Sequence, residues 1–117
     1  MTCRLIGGSL GYITTLDIRG NKITDEGIVK IIHSIPDLKS LMISECDATD
    51  KSGNEIADKL SSLEMLWSEY TSFSDDVSIR IAQKPKLRVL SLAGNKLSQK
   101  AIDKIKKIWN CKGYIML

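Results

Sequence analysis

Residues 13–23 read ITTLDIRGNKI, and this spacing of apolar and polar residues returns three more times along the chain. The further copies are LKSLMISECDA at 38–48, LEMLWSEYTSF at 63–73 and LRVLSLAGNKL at 87–97. Successive copies begin 25, 25 and 24 residues apart. Self-similarity at a fixed period of roughly 20 to 50 residues is the signature of a repeat architecture. The sequence therefore predicts stacked repeats rather than one irregular core.

Each copy changes its hydrophobic period halfway. In the first copy Leu16 and Ile18 alternate with polar residues, as in a half-buried strand. Later in the copy, Ile28, Ile32 and Ile35 are spaced by three and four, as on one face of a helix. Each copy is therefore predicted to form one strand followed by one helix.

Hydroxyl residues mark the expected helix starts. A threonine or serine follows the last apolar strand-side position of every copy, and its hydroxyl can accept a hydrogen bond from the first helical turn. These residues are Thr24, Thr49, Ser74 and Ser98. An aspartate follows in the first three copies, where a negative charge suits the helix dipole.

The fold expected from these halves is an α/β solenoid. A lone strand and helix cannot bury their apolar faces, so neighbouring copies must lie side by side. We predict a right-handed superhelix with parallel strands on the concave side and helices on the convex side. The predicted division is a remnant or cap at 1–12 and a repeat domain at 13–117, with repeats at 13–37, 38–62, 63–86 and 87–110 and a partial copy at 111–117.

This pattern resembles the leucine-rich repeat, L-x-x-L-x-L-x-x-N/C-x-L, over residues 13–110. The segment from Asn21 to Gly27 is similar to the ribonuclease-inhibitor-like type, and Cys46 in the asparagine position to the cysteine-containing type found in F-box substrate receptors. The resemblance implies a concave surface that binds a protein. Ser68 departs from the pattern, because it stands where a core leucine is expected.

Composition bounds the class of function. The chain has 117 residues, 43% of them hydrophobic and 26% charged, which is typical of one globular domain. No apolar run approaches the roughly 18 residues of a membrane helix. The three cysteines are far apart and only His33 could join them, so we expect no metal site and no other cofactor. An odd number of cysteines favours a reducing compartment, and we predict a cytoplasmic location.

The residues between the apolar strand positions should face away from the helices. We predict that a protein partner binds this concave face, with Met42, Met65, Trp67 and Val89 as its apolar patch. The alternative for Trp67 is that it turns inward in place of Ser68. Ile115 and Leu117 are expected to continue the face. The complete predicted binding set is Asp17, Arg19, Met42, Met65, Trp67, Glu69, Val89 and Ser91.

Three other interpretations stay open. The chain could associate with copies of itself through the solenoid ends, or form part of a larger repeat protein such as a ubiquitin-ligase substrate receptor. The lysine-rich segment 98–112 could meet an anionic surface, although arginine and aromatic residues do not alternate there as nucleic-acid stacking requires. No catalytic arrangement can be named around His33, so we predict that the chain is not an enzyme.

Overall fold

A computed structural model describes residues 4–6, 13–110 and 112–117. Within these residues the chain forms six short strands and four helices. In chain order they are β1 (Arg4–Ile6), β2 (Thr15–Asp17), α1 (Asp25–Ser34), β3 (Ser40–Met42), α2 (Asp50–Lys59), β4 (Met65–Trp67), α3 (Asp75–Ala82), β5 (Val89–Ser91), α4 (Gln99–Trp109) and β6 (Tyr114–Met116).

The strands form one sheet in which spatial order equals chain order. From β2 to β6 all neighbours are parallel, and their central residues form one row across the sheet. That row is Leu16, Leu41, Leu66, Leu90 and Ile115. The predicted α/β leucine-rich-repeat solenoid, with helices on one side of a parallel sheet, is thereby confirmed.

The first strand differs from the others. β1 pairs antiparallel with β2, and it therefore lies along the outer edge of the parallel sheet. Residues 1–3 and 7–12 lie outside the described residues. The assignment of 1–12 as a remnant or cap stays a prediction.

The core lies between the sheet and the helices. Fully buried strand residues such as Leu41 and Leu66 meet helix residues such as Ile56 and Ile81. The core is mostly aliphatic because each repeat contributes the same leucine and isoleucine positions. Stacking buries these faces, and burial of each such side chain contributes about 1.5–3 kcal/mol.

The four predicted N-cap residues all directly precede helices. Only two of the side chains cap their own helix. Thr49 accepts a hydrogen bond from the N–H of Lys51, and Ser98 accepts one from the N–H of Ala101.

The prediction for the last strand is wrong by one residue. Ile115 pairs with Leu90, 25 residues earlier, and packs against the core together with Leu117. Tyr114 and Met116 therefore face the open side of the sheet. A 24-residue spacing, as in the preceding copy, predicts Ile115 and Leu117 on the open face, but the observed spacing is 25 residues. A shift of one residue moves every side chain of a strand to the opposite face.

Candidate functional site

The open face of the sheet brings the predicted apolar residues together. Met42 pairs in register with Trp67, and Met65 pairs with Val89 on the next strand. All four side chains are partly exposed. The backbone of three adjacent strands therefore holds a continuous apolar patch facing solvent.

Trp67 stays on this face. Ser68 occupies the inward position and is fully buried, while the register from β3 to β5 runs without a shift. The alternative in which Trp67 turns inward is wrong. The Ser68 hydroxyl lies 2.8 Å from the Thr71 hydroxyl, so the missing leucine is replaced by a polar contact rather than by tryptophan.

Two residues missed by the sequence prediction extend the patch. The ring of Tyr114 stacks on that of Trp67, with centroids 6.5 Å apart and planes inclined by 21°. Tyr114 is 48% exposed and Met116 is 43% exposed, among the highest values for large apolar side chains in the described residues. The correct 25-residue spacing of the last strand is the signal that could have found them. We call Met42, Met65, Trp67, Val89, Tyr114 and Met116 the concave patch.

Ser91 was predicted to lie exposed on the binding face, but its side chain is buried. It is fully buried, so the expectation that it contacts a partner directly is wrong. Its hydroxyl donates a hydrogen bond of 2.6 Å to the carboxylate of Glu69. The backbone N–H of Glu69 donates to the Ser44 hydroxyl at 3.0 Å. Glu69 is thus fixed from both sides at the margin of the concave patch.

The predicted residues of the first copy form a polar neighbour to this patch. The guanidinium of Arg19 donates two hydrogen bonds, of 2.9 and 2.8 Å, to the carboxylate of Asp17. The pair lines a shallow pocket of about 430 Å³ together with Ser44, Glu45 and Glu69. Hydrogen bonding to Asp17 raises the pKa of Arg19.

A row of left-handed residues follows the strands. Gly20, Glu45, Tyr70 and Gly94 occupy equivalent turn positions with φ between 54° and 81°. Tyr70 is 66% exposed, and its ring lies so close to Gly94 that a Cβ there would come within 2.3 Å of a ring carbon. The Tyr70 ring is therefore exposed at the turns that follow the strands, and it packs against Gly94 of the next repeat.

Comparison with known proteins identifies the repeat. A sequence model described as "Leucine Rich repeat" matches residues 12–31, the first of the four copies that the sheet aligns. The first copy is thus a leucine-rich repeat in sequence, and the chain has the leucine-rich-repeat fold. Among curated proteins, none matches it in sequence.

Two solved structures share the fold of this chain. Leiomodin-1 actin-binding site 2 superimposes with a TM-score of 0.75 and 16% sequence identity, covering 88% of this chain and 69% of that one. The tropomodulin C-terminal domain of Caenorhabditis elegans gives 0.74 and 12%, covering 89% and 72%. At these identities the likeness establishes the fold.

The asparagine position of the repeat supplies hydrogen bonds to the backbone. The Asn95 amide donates to the carbonyls of Ser68 and Leu92 at 2.7 and 3.0 Å, and its oxygen accepts from the N–H of Phe73. One buried side chain thus satisfies backbone groups of two repeats. Because Ser68 follows Trp67 directly, this network also holds the centre of the concave patch in place.

His33, the chain's one histidine, contacts a carboxylate on the helical side of the solenoid. His33 lies 2.9 Å from Glu55 on the convex helices, away from the concave patch. Among the described residues, no three histidine, cysteine, aspartate or glutamate side chains are placed to hold a metal ion. No helix in the described part of the chain is both long and apolar enough to cross a bilayer.

Proposed function

We propose that this chain is a protein-interaction module that docks a protein partner on the concave face of its sheet. The stacked Trp67 and Tyr114 rings at the centre of a partly exposed apolar patch carry this proposal. Tryptophan and tyrosine are enriched among residues that dominate binding energy, and methionine is enriched at interface cores. Binding rather than catalysis is the role that this surface supports.

A rigid frame supports the docking role. Most of the patch stands on β3, β4 and β5, which are paired on both sides, and β5 lies between Trp67 and Tyr114. Little side-chain or loop entropy is then lost on binding, which preserves affinity. Asp17, Arg19 and Glu69 supply a polar margin, where charged groups set partner choice more than affinity.

The proposal also includes a cysteine-containing repeat type and a cytoplasmic location. The Cys46 thiol donates to the carbonyl of Ile18 at 3.2 Å, and the Asn21 amide donates to the same carbonyl at 3.0 Å. Cysteine and asparagine thus perform one task in neighbouring copies, which supports the cysteine-containing type. Cys46 is buried, and the odd number of cysteines in the chain supports a cytoplasmic location.

Actin is the partner to test first, because the structural neighbour from leiomodin-1 is named as an actin-binding site. The experiment measures the affinity of the full chain for actin monomers and filaments. Independently, proteins captured from a lysate by the wild type are compared with those captured by Trp67→Ala. His33→Ala, on the convex helices, serves as the control.

Loss of the Trp67 ring is expected to cost about 2 kcal/mol of binding, a decrease of roughly 30-fold in affinity. The control should bind as the wild type does. Unchanged capture by a Trp67→Ala variant with native circular dichroism would refute docking at the concave patch.

A second candidate is assembly through the solenoid end. It is favoured by β6, an edge strand that presents Tyr114 and Met116 to solvent. Unpaired edge strands are templates for pairing with another chain. Light scattering across the micromolar range tests this role. Growth in mass that Ile115→Pro abolishes supports it, and a constant monomer mass contradicts it.

A further inference from the structure

A basic edge borders the concave patch where helices end and strands begin. The last residues of α3 and its connection to β5 read RIAQKPKLR over residues 80–88, with four positive charges and no acidic residue. Lys86 and Arg88 are exposed. Residues 80–88 lie outside the lysine-rich segment 98–112.

The next connection brings a further cation to the same place. A Cβ on Gly113 would come within 1.9 Å of the Arg88 carbonyl oxygen, so only glycine allows the two connections to touch. The N–H of Tyr114 donates to that oxygen at 2.9 Å. The Lys112 ammonium donates to the carbonyls of Ala82 and Lys84, which fixes its position.

These connections enclose a shallow pocket of about 360 Å³. Its lining residues are Glu64, Pro85, Lys86, Leu87, Arg88 and Lys112. Three basic residues and one acidic residue line this space, so the net charge of its lining is positive. Fixed positive charge beside a docking surface selects partners of opposite sign.

The basic edge runs directly into the concave patch. Arg88 immediately precedes Val89, and Lys112 stands two residues before Tyr114. Val89 and Tyr114 are register partners on adjacent strands. A bound segment that covers this pair therefore passes within reach of Lys86, Arg88 and Lys112.

We propose that the partner docks through an acidic peptide segment that also carries hydrophobic side chains. Its hydrophobic residues contact the concave patch, and its carboxylates lie over the pocket formed by Lys86, Arg88 and Lys112. This inference rests on the proposed docking role of the patch. It adds the chemistry of the partner segment that the patch accepts.

The single carboxylate in the pocket favours a peptide over a polyanion. Glu64 lies among the cations, and a nucleic-acid backbone carries a negative charge at every nucleotide that would meet it. A peptide can place a neutral or basic residue at that point. An anionic membrane is disfavoured by shape, because the hydrophobic contacts lie on the concave side of the solenoid.

Fluorescence anisotropy with three labelled peptides of equal length tests this inference on the full chain. The first peptide sets leucine and phenylalanine among glutamates. The second replaces each glutamate by lysine, and the third replaces each hydrophobic residue by serine. The first is expected to bind at least about tenfold more tightly than either of the others.

Charge reversal locates the contact. Lys86→Glu with Arg88→Glu should weaken binding of the first peptide by about tenfold or more, and added salt should shrink this difference. The matched control is Lys100→Glu with Lys104→Glu, the same charge change on exposed residues of α4. It should alter affinity less than about twofold.

The variants separate this inference from the proposed function. If Trp67→Ala weakens peptide binding but charge reversal does not, docking at the patch stands and the acidic partner is wrong. If charge reversal weakens peptide binding but Trp67→Ala does not, the basic edge binds the peptide without the concave patch, and docking at the patch is wrong. Equal or tighter binding of the lysine peptide, of single-stranded RNA or of anionic vesicles would overturn the acidic-peptide inference, as would failure of the first peptide to bind.

Discussion

The carboxylate of Asp25, the first residue of α1, accepts a 2.9 Å hydrogen bond from the backbone N–H of Thr49, the N-cap of α2. It also accepts a hydrogen bond from the Thr49 hydroxyl at 2.6 Å. The first aspartate of one helix thus satisfies the start of the next helix. The same relationship joins Asp50 to Ser74 and Asp75 to Ser98, at 2.7 and 3.0 Å.

Replacing Asp25 by alanine should destabilise the fold by about 1–2 kcal/mol, because hydrogen bonds to a charged acceptor are lost at a partly exposed site. Urea unfolding measures the change. Glu26→Ala removes an equal charge from the same helical turn but only a surface pair with Lys30, and should cost at most about 0.5 kcal/mol. Equal losses in the two variants would contradict the role of Asp25.

Acid should weaken the fold through these aspartates. Burial raises the pKa of Asp25, but hydrogen bonds from Ser52 and Thr49 outweigh it, so the pKa lies below 3.8. The backbone N–H and hydroxyl of Ser98 lower the pKa of Asp75. Because both pKa values are lower in the folded state, their stabilisation is complete above 3.8 and is lost as the pH falls through the folded-state values.

This acid sensitivity can be assigned by substitution. Between neutral pH and about pH 3, the urea midpoint of Asp25→Asn with Asp75→Asn should fall less than that of the wild type. Parallel curves for the double variant and the wild type would show that these two groups do not cause it.

The turn glycines should respond unequally to alanine. At Gly20 a Cβ meets nothing within 4 Å, so Gly20→Ala should cost about 1 kcal/mol for the positive φ alone. Gly94→Ala should cost more, because its Cβ also meets the Tyr70 ring. Adding Tyr70→Ala should recover the excess, which a double-mutant cycle of unfolding free energies measures. Additive losses would show that the ring and the glycine do not interact.

The stacked rings should be coupled in stability. Trp67→Ala, Tyr114→Ala and the double variant should give an interaction free energy of about 0.5 kcal/mol, the lower end for aromatic pairs because both rings are partly exposed. Thermal unfolding of the four proteins measures it. A cycle with Trp67 and Tyr70 is the control, and an equal coupling there would contradict a specific contact.

The architecture was predictable because stacking repeats a local pattern. Leu41 and Leu66 show the strand period, Thr49 and Ser98 mark helix starts, and each repeat meets only its neighbours. Local signals therefore determine the long-range pairing. In folds without repeats, strands distant in sequence can pair, and the local pattern does not show which strands do so.

The candidate site was only partly predictable. The placement of Met42 and Trp67 follows from alternation alone, whereas Tyr114 required the true spacing of the last repeat. The burial of Ser91 depends on neighbouring side chains from other strands, and no periodicity encodes it. Asp25 was assigned to its own helix, because the sequence does not show that the next N-cap lies within reach.

The ladder of aspartates gives the solenoid a direction. Detachment of α4 leaves the aspartate contacts at the starts of α2 and α3 in place, whereas detachment of α1 deprives α2 of its acceptor. Fraying should therefore begin at the α4 end and advance toward α1. In hydrogen–deuterium exchange the amides of α4 should exchange first, and substitution of Asp25 should accelerate exchange in α2 more than in α1.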